Sequence, residues 1–258
     1  MNKSAFMITL LLLGCINLSG CISENSKSSG IELSINFHQT NGTIIETYND
    51  GELISIENVD LSFDFSKTTS EEKITSYAIN VNDGNEPITV DAVSKSNISI
   101  EFDQHGIYHL DAYAIDSNGN VENMSIIIRI DFRIDWIESN TNDPKHLPIN
   151  PIPENNGTHP YMIEVSSMVE NPRLIDEFGG GGQTVDFTWK MFDEANDVCL
   201  SKSSRIEDGE SDDWYVIHFN TYETHSLRIE FDDGQDYVNI EQEMSIIYHS
   251  IESEPVID

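Results

Sequence analysis

Two runs of carboxylates near predicted turns are the first residues whose chemistry stands out. One run includes Asp193 and Asp197, and the other includes Asp232, Asp233 and Asp236. Carboxylate oxygens are the ligands that Ca²⁺ prefers, and the ion takes about six to eight of them. Because neither run has the spacing of a calcium-binding helix–loop–helix, we interpret both as acidic hairpin loops. The sequence therefore predicts no cofactor, and Ca²⁺ is the one ion that these carboxylates could hold.

No set of residues has the context that nucleophilic catalysis requires. Cys199 stands in the apolar run 197–200, where the favoured role is that of a small buried hydrophobic residue. No Ser–His–Asp or Cys–His order has the strand-to-helix turn that presents a nucleophile. We therefore expect that the protein is not an enzyme. An unrecognised catalytic site in the second half of the chain is the less favoured alternative.

The apolar run at 214–219 is the strongest candidate for ligand binding. Side chains alternate between the two faces of a β-strand. If the odd-numbered residues point into a core, then Trp214, Val216 and His218 point outward. An exposed aromatic and aliphatic face would suit stacking on a sugar or contact with a protein partner. If both faces are covered, the segment is an ordinary central strand.

The charge of the chain excludes one class of partner. The 258 residues include 46 acidic and 13 basic side chains, which gives a net charge of −33. Nucleic-acid binding depends on the neutralisation of phosphates by Lys and Arg, and the sequence contains no basic patch. We therefore expect no DNA or RNA partner. The even spread of acidic residues is typical of a solvated surface in a salty medium.

The N-terminus has the features of a secretory signal peptide. A short start with one Lys precedes an apolar run at 5–13, and small residues follow it. This order is typical of a signal peptide, and the apolar run is too short to span a bilayer. We place the signal peptide at 1–20 and a flexible Ser- and Asn-containing tether at 21–30.

Leu18-Ser19-Gly20-Cys21 resembles the lipobox of prokaryotic lipoproteins. The resemblance implies that cleavage precedes Cys21, that Cys21 carries a lipid, and that the protein is anchored outside the cytoplasm to the cell membrane. Cys15 ends a similar quartet, but cleavage there would leave a very short apolar core, so Cys21 is preferred. An ordinary signal peptide with incidental cysteines is the alternative.

Period-two alternation of apolar residues recurs along the rest of the chain, as in Tyr77, Ile79 and Val81. Short alternating runs separated by Asn-, Asp- and Gly-rich turns are typical of antiparallel strands. We therefore predict an all-β protein with two tandem immunoglobulin-like sandwich domains, at 31–135 and 159–250. Four prolines within 136–158 predict a stiff linker between the domains. Residues 251–258 are predicted to form an acidic tail.

Two segments of the first domain resemble the PKD domain. They are Ile74–Gly84, which contains Tyr77 and ends in Asn-Asp-Gly, and Gly106–Asn120, which contains Tyr108. The resemblance implies an immunoglobulin-like sandwich that serves as a spacer or interaction module on the cell surface, with no catalytic residues. Tyr108 is placed to form a tyrosine corner, in which its hydroxyl bonds the backbone upstream. The second domain resembles no family that we recognise.

These expectations combine into one functional hypothesis and its alternatives. We expect a cell-surface lipoprotein that acts as a non-catalytic binding or adhesion module, with a protein or a glycan as ligand. A structural spacer or a subunit of an envelope assembly is the alternative. Exposure of the Trp214 face would favour binding, whereas its burial would favour a spacer.

Overall fold

The computed structural model describes residues 30–173, 182–234 and 237–257. Within these ranges, all regular secondary structure is β-strand, which confirms the all-β prediction. The strands are β1 (Ile31–Glu32), β2 (Asn41–Asn49), β3 (Glu52–Glu57), β4 (Val59–Asp64), β5 (Thr69–Ser70), β6 (Ile74–Asn80), β7 (Ile88–Asp91), β8 (Asn97–Phe102), β9 (Gly106–Asp116), β10 (Val121–Thr141), β11 (Leu147–Ile149), β12 (Met162–Glu170), β13 (Val185–Phe192), β14 (Val198–Ile206), β15 (Ser211–His218), β16 (His225–Gly234) and β17 (Val238–Ile247).

The predicted signal peptide at 1–20, the predicted lipidation site Cys21 and the predicted tether lie outside the described residues, apart from Gly30 at the tether's end. Within the described ranges, no helix has the length and apolar character needed to cross a membrane.

The first hydrophobic core lies between two layers of strands. The β4–β8 pair and the short β1–β5 pair cover one side, and β7, β6, β9 and β10 cover the other. Alternate residues of β8 and β9 point into this core, as the period-two pattern predicts. Phe63, Phe65 and Leu110 are fully buried. This layering is that of an immunoglobulin-like sandwich.

The second core lies between the sheet β11–β16–β13–β14 and the strands β15, β12, β17 and β10. The predicted inward stripe of β13 is confirmed, because Val185, Phe187, Trp189 and Met191 are all fully buried. The indole Nε1 of Trp189 donates a hydrogen bond to the hydroxyl of Ser167 on the facing sheet, at 2.8 Å. That bond satisfies a polar group that would otherwise be buried without a partner.

The predicted tyrosine corner is confirmed. The hydroxyl of Tyr108 donates to the backbone oxygen of Gln104 at 2.7 Å, which ties the start of β9 to the loop before it. Gly106 lies between them, and a Cβ there would stand 2.6 Å from the side-chain nitrogen of Asn155. Only glycine therefore allows the Asn155 side chain to approach, and Asn155 in turn donates to the backbone oxygen of Ile107.

A single strand, β10, belongs to both cores. Its first part pairs with β9 over 121–130, and its second part pairs with β17 from Phe132 onward. β2 runs parallel to the middle of β10, from Arg129 to Ile137. One nine-stranded sheet therefore extends through both sandwiches.

The prediction that residues 136–158 form a free linker between the two domains is wrong. Trp136 is 3% exposed in the second core, and its indole donates to the buried carboxylate of Glu138 at 2.9 Å. Leu147 and Ile149 are also buried in that core. Proline is tolerated at the edge of a sheet, where its missing N–H is not needed, and Pro148 lies in the edge strand β11. The prolines of this segment therefore do not exclude strand structure.

The predicted acidic tail is docked against the first sandwich. Glu252 forms an ion pair with Arg129 of β10, with 3.0 Å between Oε2 and Nε. The hydroxyl of Thr40 bonds the backbone oxygen of Ser253, and Val256 forms an isolated bridge with Phe37. The segment therefore lies against the start of β2 and the middle of β10 instead of extending into solvent.

Candidate functional site

The structure reverses the predicted orientation of β15. Trp214, Val216 and His218 face inward, and the first two pack against the second core. The prediction that these three residues form an exposed ligand-binding face is therefore wrong. We expected exposure of the Trp214 face to favour binding and its burial to favour a spacer. Taken alone, the inward orientation of Trp214 therefore favours a spacer.

The reversal has a simple physical cause. Both alternating sets of β15 contain large apolar side chains, so the period-two pattern identifies the strand but not the face that is buried. Packing across the sandwich selects the Trp214 set: the ring centroid of Trp214 lies 6.2 Å from that of Trp189. The other face of β15 stays in solvent, where Tyr215 and Ile217 are exposed.

The opposite side of β15 exposes a group of large side chains that we call the outer aromatic face. Tyr215 is 56% exposed and Phe219 is 60% exposed, and Ile217 lies between them. Tyr161, from the start of β12, is 45% exposed and contacts Phe219 edge-on, with 5.7 Å between ring centroids. The ring of His249 lies 4.2 Å from that of Tyr161. Four rings thus share one solvated surface.

Polar groups border the outer aromatic face. The hydroxyl of Tyr215 donates to the carboxylate of Glu164 on the neighbouring strand β12. This hydrogen bond raises the pKa of Tyr215, because it stabilises the protonated phenol. Ser166 is exposed and pairs directly with Tyr215 across the two strands. The face therefore combines apolar rings with hydrogen-bond acceptors and donors, which is the chemistry that a polyhydroxylated ligand requires.

The calcium candidates do not come together. Asp193 closes its own hairpin, where its carboxylate accepts the N–H of Asp197 at 2.8 Å. Asp232 accepts the hydroxyl of Thr188 at 2.7 Å, and Asp233 bonds the N–H of the next residue. The two runs lie at opposite ends of the antiparallel β13–β16 pair. Asp236 lies outside the described residues.

Cys199 differs from its prediction as a buried hydrophobic residue, because it is exposed. It is the extra residue of a β-bulge in β14: Val198 lies opposite Phe192, and Leu200 lies opposite Met191. A bulge changes the direction of a side chain relative to the regular strand. Here the Cys199 side chain comes close to two histidines.

Cys199, His218 and His225 form a cluster that the sequence analysis missed. The ligand-type atoms of the three side chains all lie within 4.8 Å of one another. Within the described part of the chain, no other group of three or more His, Cys, Asp or Glu residues could hold a metal ion in this way. The two imidazole rings meet edge-on, with 4.7 Å between centroids. We call these three residues the Cys–His–His cluster.

The protonation of the cluster follows from its surroundings. His225 donates its Nε2 proton to the backbone oxygen of Asn220, at 2.8 Å. In the neutral ring, Nδ1 is then the nitrogen that carries the lone pair. Burial lowers the pKa of His218, and the neighbouring His225 adds to the effect. Cys199 is exposed as a residue, but the partial burial of its thiol raises its pKa, and the charges of Asp193 and Glu223 add to the effect.

Comparison with known proteins finds matches among solved structures alone. No family model and no curated protein matches the chain. One similar solved structure is that of a promiscuous carbohydrate-binding module of the β-sandwich superfamily. Its sequence is 10% identical, the TM-score is 0.31, and the match covers 83% of this chain and 96% of that one.

Two further solved structures match this chain over about half of their own length. One is the Bacteroides ovatus mixed-linkage glucan utilisation protein SGBP-B with a heptasaccharide, at 12% identity and a TM-score of 0.24, covering 78% of this chain and 51% of that one. The other contains the CBM51-2 and INT domains of Clostridium perfringens ZmpB, at 11% identity and a TM-score of 0.25. The match covers 82% of this chain and 48% of that one. With TM-scores this low, the ligands of these proteins carry no argument for this chain.

Proposed function

We propose that the protein is a non-catalytic binding module, anchored outside the cytoplasm through a lipid on Cys21, whose outer aromatic face binds a neutral glycan. The observation that supports this proposal is the exposure of Tyr161, Tyr215 and Phe219 on one solvated surface. Large apolar side chains grouped in solvent cost free energy unless a ligand covers them, so such groups mark binding surfaces.

A glycan fits this surface better than an extended apolar partner does. Aromatic rings offer flat apolar faces, and Glu164 and Ser166 place polar groups beside them. Tyr215 and Phe219 are four residues apart on one side of a strand, which corresponds to about 13 Å along it. A platform of that length suits an oligosaccharide more than a single sugar. Because the net charge is −33, anionic polymers are repelled, and the proposal is restricted to neutral glycans.

A panel of neutral oligosaccharides, tested by calorimetry against the full chain and three variants, examines the glycan proposal. Phe219→Ala and Tyr161→Ala should each weaken binding about tenfold or more, since each removes one ring of the platform. Tyr237→Ala is the matched control. Its side chain is 44% exposed, close to the 45% of Tyr161, and it lies beyond the opposite end of β12, about 30 Å away.

Two results would contradict the glycan proposal. The first is that no neutral saccharide binds the native chain. The second is that Tyr237→Ala weakens binding as much as Phe219→Ala does, which would show that the surface is not specific. The anchor is tested separately: Cys21→Ser should release the protein from the membrane fraction, and continued retention would refute the lipid.

A structural spacer is the second candidate, and one observation favours it. The strand β10 runs without interruption through both sandwiches, so the two cores share a sheet. A shared sheet is stiffer than two bodies joined by a flexible linker, and stiffness is what a spacer needs. A spacer predicts that the outer aromatic face can be replaced by polar residues without loss of any binding activity.

A further inference from the structure

We propose that the Cys–His–His cluster is a metal site that binds Zn²⁺ through the thiolate of Cys199 and one imidazole nitrogen each of His218 and His225. Thiolate and imidazole are the ligands that Zn²⁺ selects in proteins, usually in a tetrahedron. Neither the glycan proposal nor the lipid anchor is needed for this inference.

The three ligand atoms are already almost in place. In a tetrahedral zinc site with normal bond lengths, neighbouring ligand atoms are about 3.4 Å apart. In this structure the three atoms lie within 4.8 Å of one another. To close the site, each pair of ligand atoms therefore has to approach by at most about 1.4 Å. The β-bulge that carries Cys199 turns the thiol toward the two rings.

Two buried imidazole nitrogens of the cluster have no hydrogen-bond partner. His225 is 5% exposed, and its Nδ1 is buried without a hydrogen-bond partner; the same holds for Nε2 of His218. A buried polar atom without a partner costs about 1–3 kcal/mol. A metal ion would satisfy both nitrogens at once. Nε2 of His225 already bonds a backbone oxygen, which is the outer hydrogen bond that orients metal-ligating histidines.

The electrostatic surroundings favour a cation. The negative charges of Asp193, Asp197 and Glu223 all act on Cys199, and that of Glu223 also acts on His218. These charges oppose a bare thiolate but favour a thiolate that is bound to a divalent ion. Three protein ligands leave a fourth position open, which Glu223 or a water molecule can complete.

The site would join the two sheets of the second sandwich at their open edge. Cys199 belongs to β14, at the edge of one sheet, and His218 belongs to β15, at the edge of the other. Nearer the turn that connects β14 to β15, Lys202 and Asp212 already join the same edges by an ion pair of 2.8 Å. The metal would provide a second connection at the far end. It would also hold the segment 219–224, which links two of its ligands and contains Phe219.

Metal titration of the full chain tests the site directly. After treatment with a chelator, the protein should bind one Zn²⁺ per chain by calorimetry. Co²⁺ should produce the sulfur-to-metal charge-transfer band and the visible absorption of a tetrahedral thiolate site. Zn²⁺ at 100 times its dissociation constant should raise the free energy of unfolding, since the ion binds only the folded chain.

Three variants distinguish Zn²⁺ binding at the Cys–His–His cluster from non-specific binding to the acidic surface. Cys199→Ser should abolish the charge-transfer band, and His218→Ala and His225→Ala should each weaken Zn²⁺ binding at least 100-fold. His109→Ala, which alters an exposed histidine of β9 outside the cluster, should leave binding unchanged. Because Cys199 is exposed, Cys199→Ser keeps the fold and remains informative if His225→Ala does not fold. Absence of stoichiometric binding to the native chain, or binding that Cys199→Ser leaves unchanged, would overturn the proposal.

Discussion

Substitution of two adjacent residues of β15 tests which of its faces supports the fold. The structure places Trp214 against the second core and Tyr215 in solvent. The two residues are neighbours in the same strand and are both large and aromatic. Trp214→Ala and Tyr215→Ala therefore differ mainly in the side of the sheet from which a ring is removed.

The expected magnitudes follow from burial. Removal of a fully buried Trp costs about 3–5 kcal/mol. Trp214 is half-buried and contacts Trp189 at 6.2 Å between ring centroids, so we expect Trp214→Ala to lower the free energy of unfolding by about 2 kcal/mol. Substitutions at exposed positions change stability by about 0.5 kcal/mol or less. Tyr215 is 56% exposed, so we expect Tyr215→Ala to remain within that range.

Chemical denaturation of both variants, followed by far-ultraviolet circular dichroism, measures these differences. In thermal unfolding, a loss of about 2 kcal/mol corresponds to a decrease in Tm of about 4–8 °C for a chain of this size. If Tyr215→Ala destabilises the protein as much as Trp214→Ala does, the assigned orientation of β15 is wrong. The same result would also remove the basis for the outer aromatic face.

Two further predictions concern stability. Ser167→Ala should cost about 1–3 kcal/mol, because it leaves the indole N–H of Trp189 buried without an acceptor; a change below 0.5 kcal/mol in denaturant unfolding would contradict this. Glu252→Gln should destabilise the docked C-terminal segment by about 1–2 kcal/mol at pH 7, where Glu252 pairs with Arg129. The hydrogen bond from Arg129 lowers the pKa of Glu252 below its usual 4.5. The stabilisation is therefore present above pH 4.5 and is lost as the pH falls through the lowered pKa. Once the pH lies below that pKa, the native chain and the variant should have the same stability.

Much of the fold could be predicted from local patterns. The alternation of β13 predicted its buried face correctly, since the opposite face of that strand is polar at Asp186 and Lys190. The tyrosine corner was also predictable, because Tyr108 and its acceptor Gln104 are close in sequence. The continuity of β10 was not predictable in this way. Four prolines suggested a linker over 136–158, but all four follow the end of β10 at Thr141. Pro148 lies in the edge strand β11, where its missing N–H is not needed.

The candidate sites were less predictable than the fold. The Cys–His–His cluster joins residues of three strands, and their positions in sequence match no metal-binding motif. The outer aromatic face required the correct orientation of β15, which its sequence leaves undecided because both alternating sets are apolar. The exposed cysteine that is not paired in a disulfide points to the cluster, but its exposure became visible only in the structure.

The sequence by itself determined that this chain is built from β-strands, where most of them lie, and that its net charge is −33. These properties depend on the period of the apolar residues and on total charge, and both can be counted along the chain. Only the tertiary structure decided which face of β15 is solvated, that β10 joins both cores, and that Cys199 meets His218 and His225. These outcomes depend on which distant strands pair and pack together, and that choice is made by the burial of the whole core rather than by any one segment.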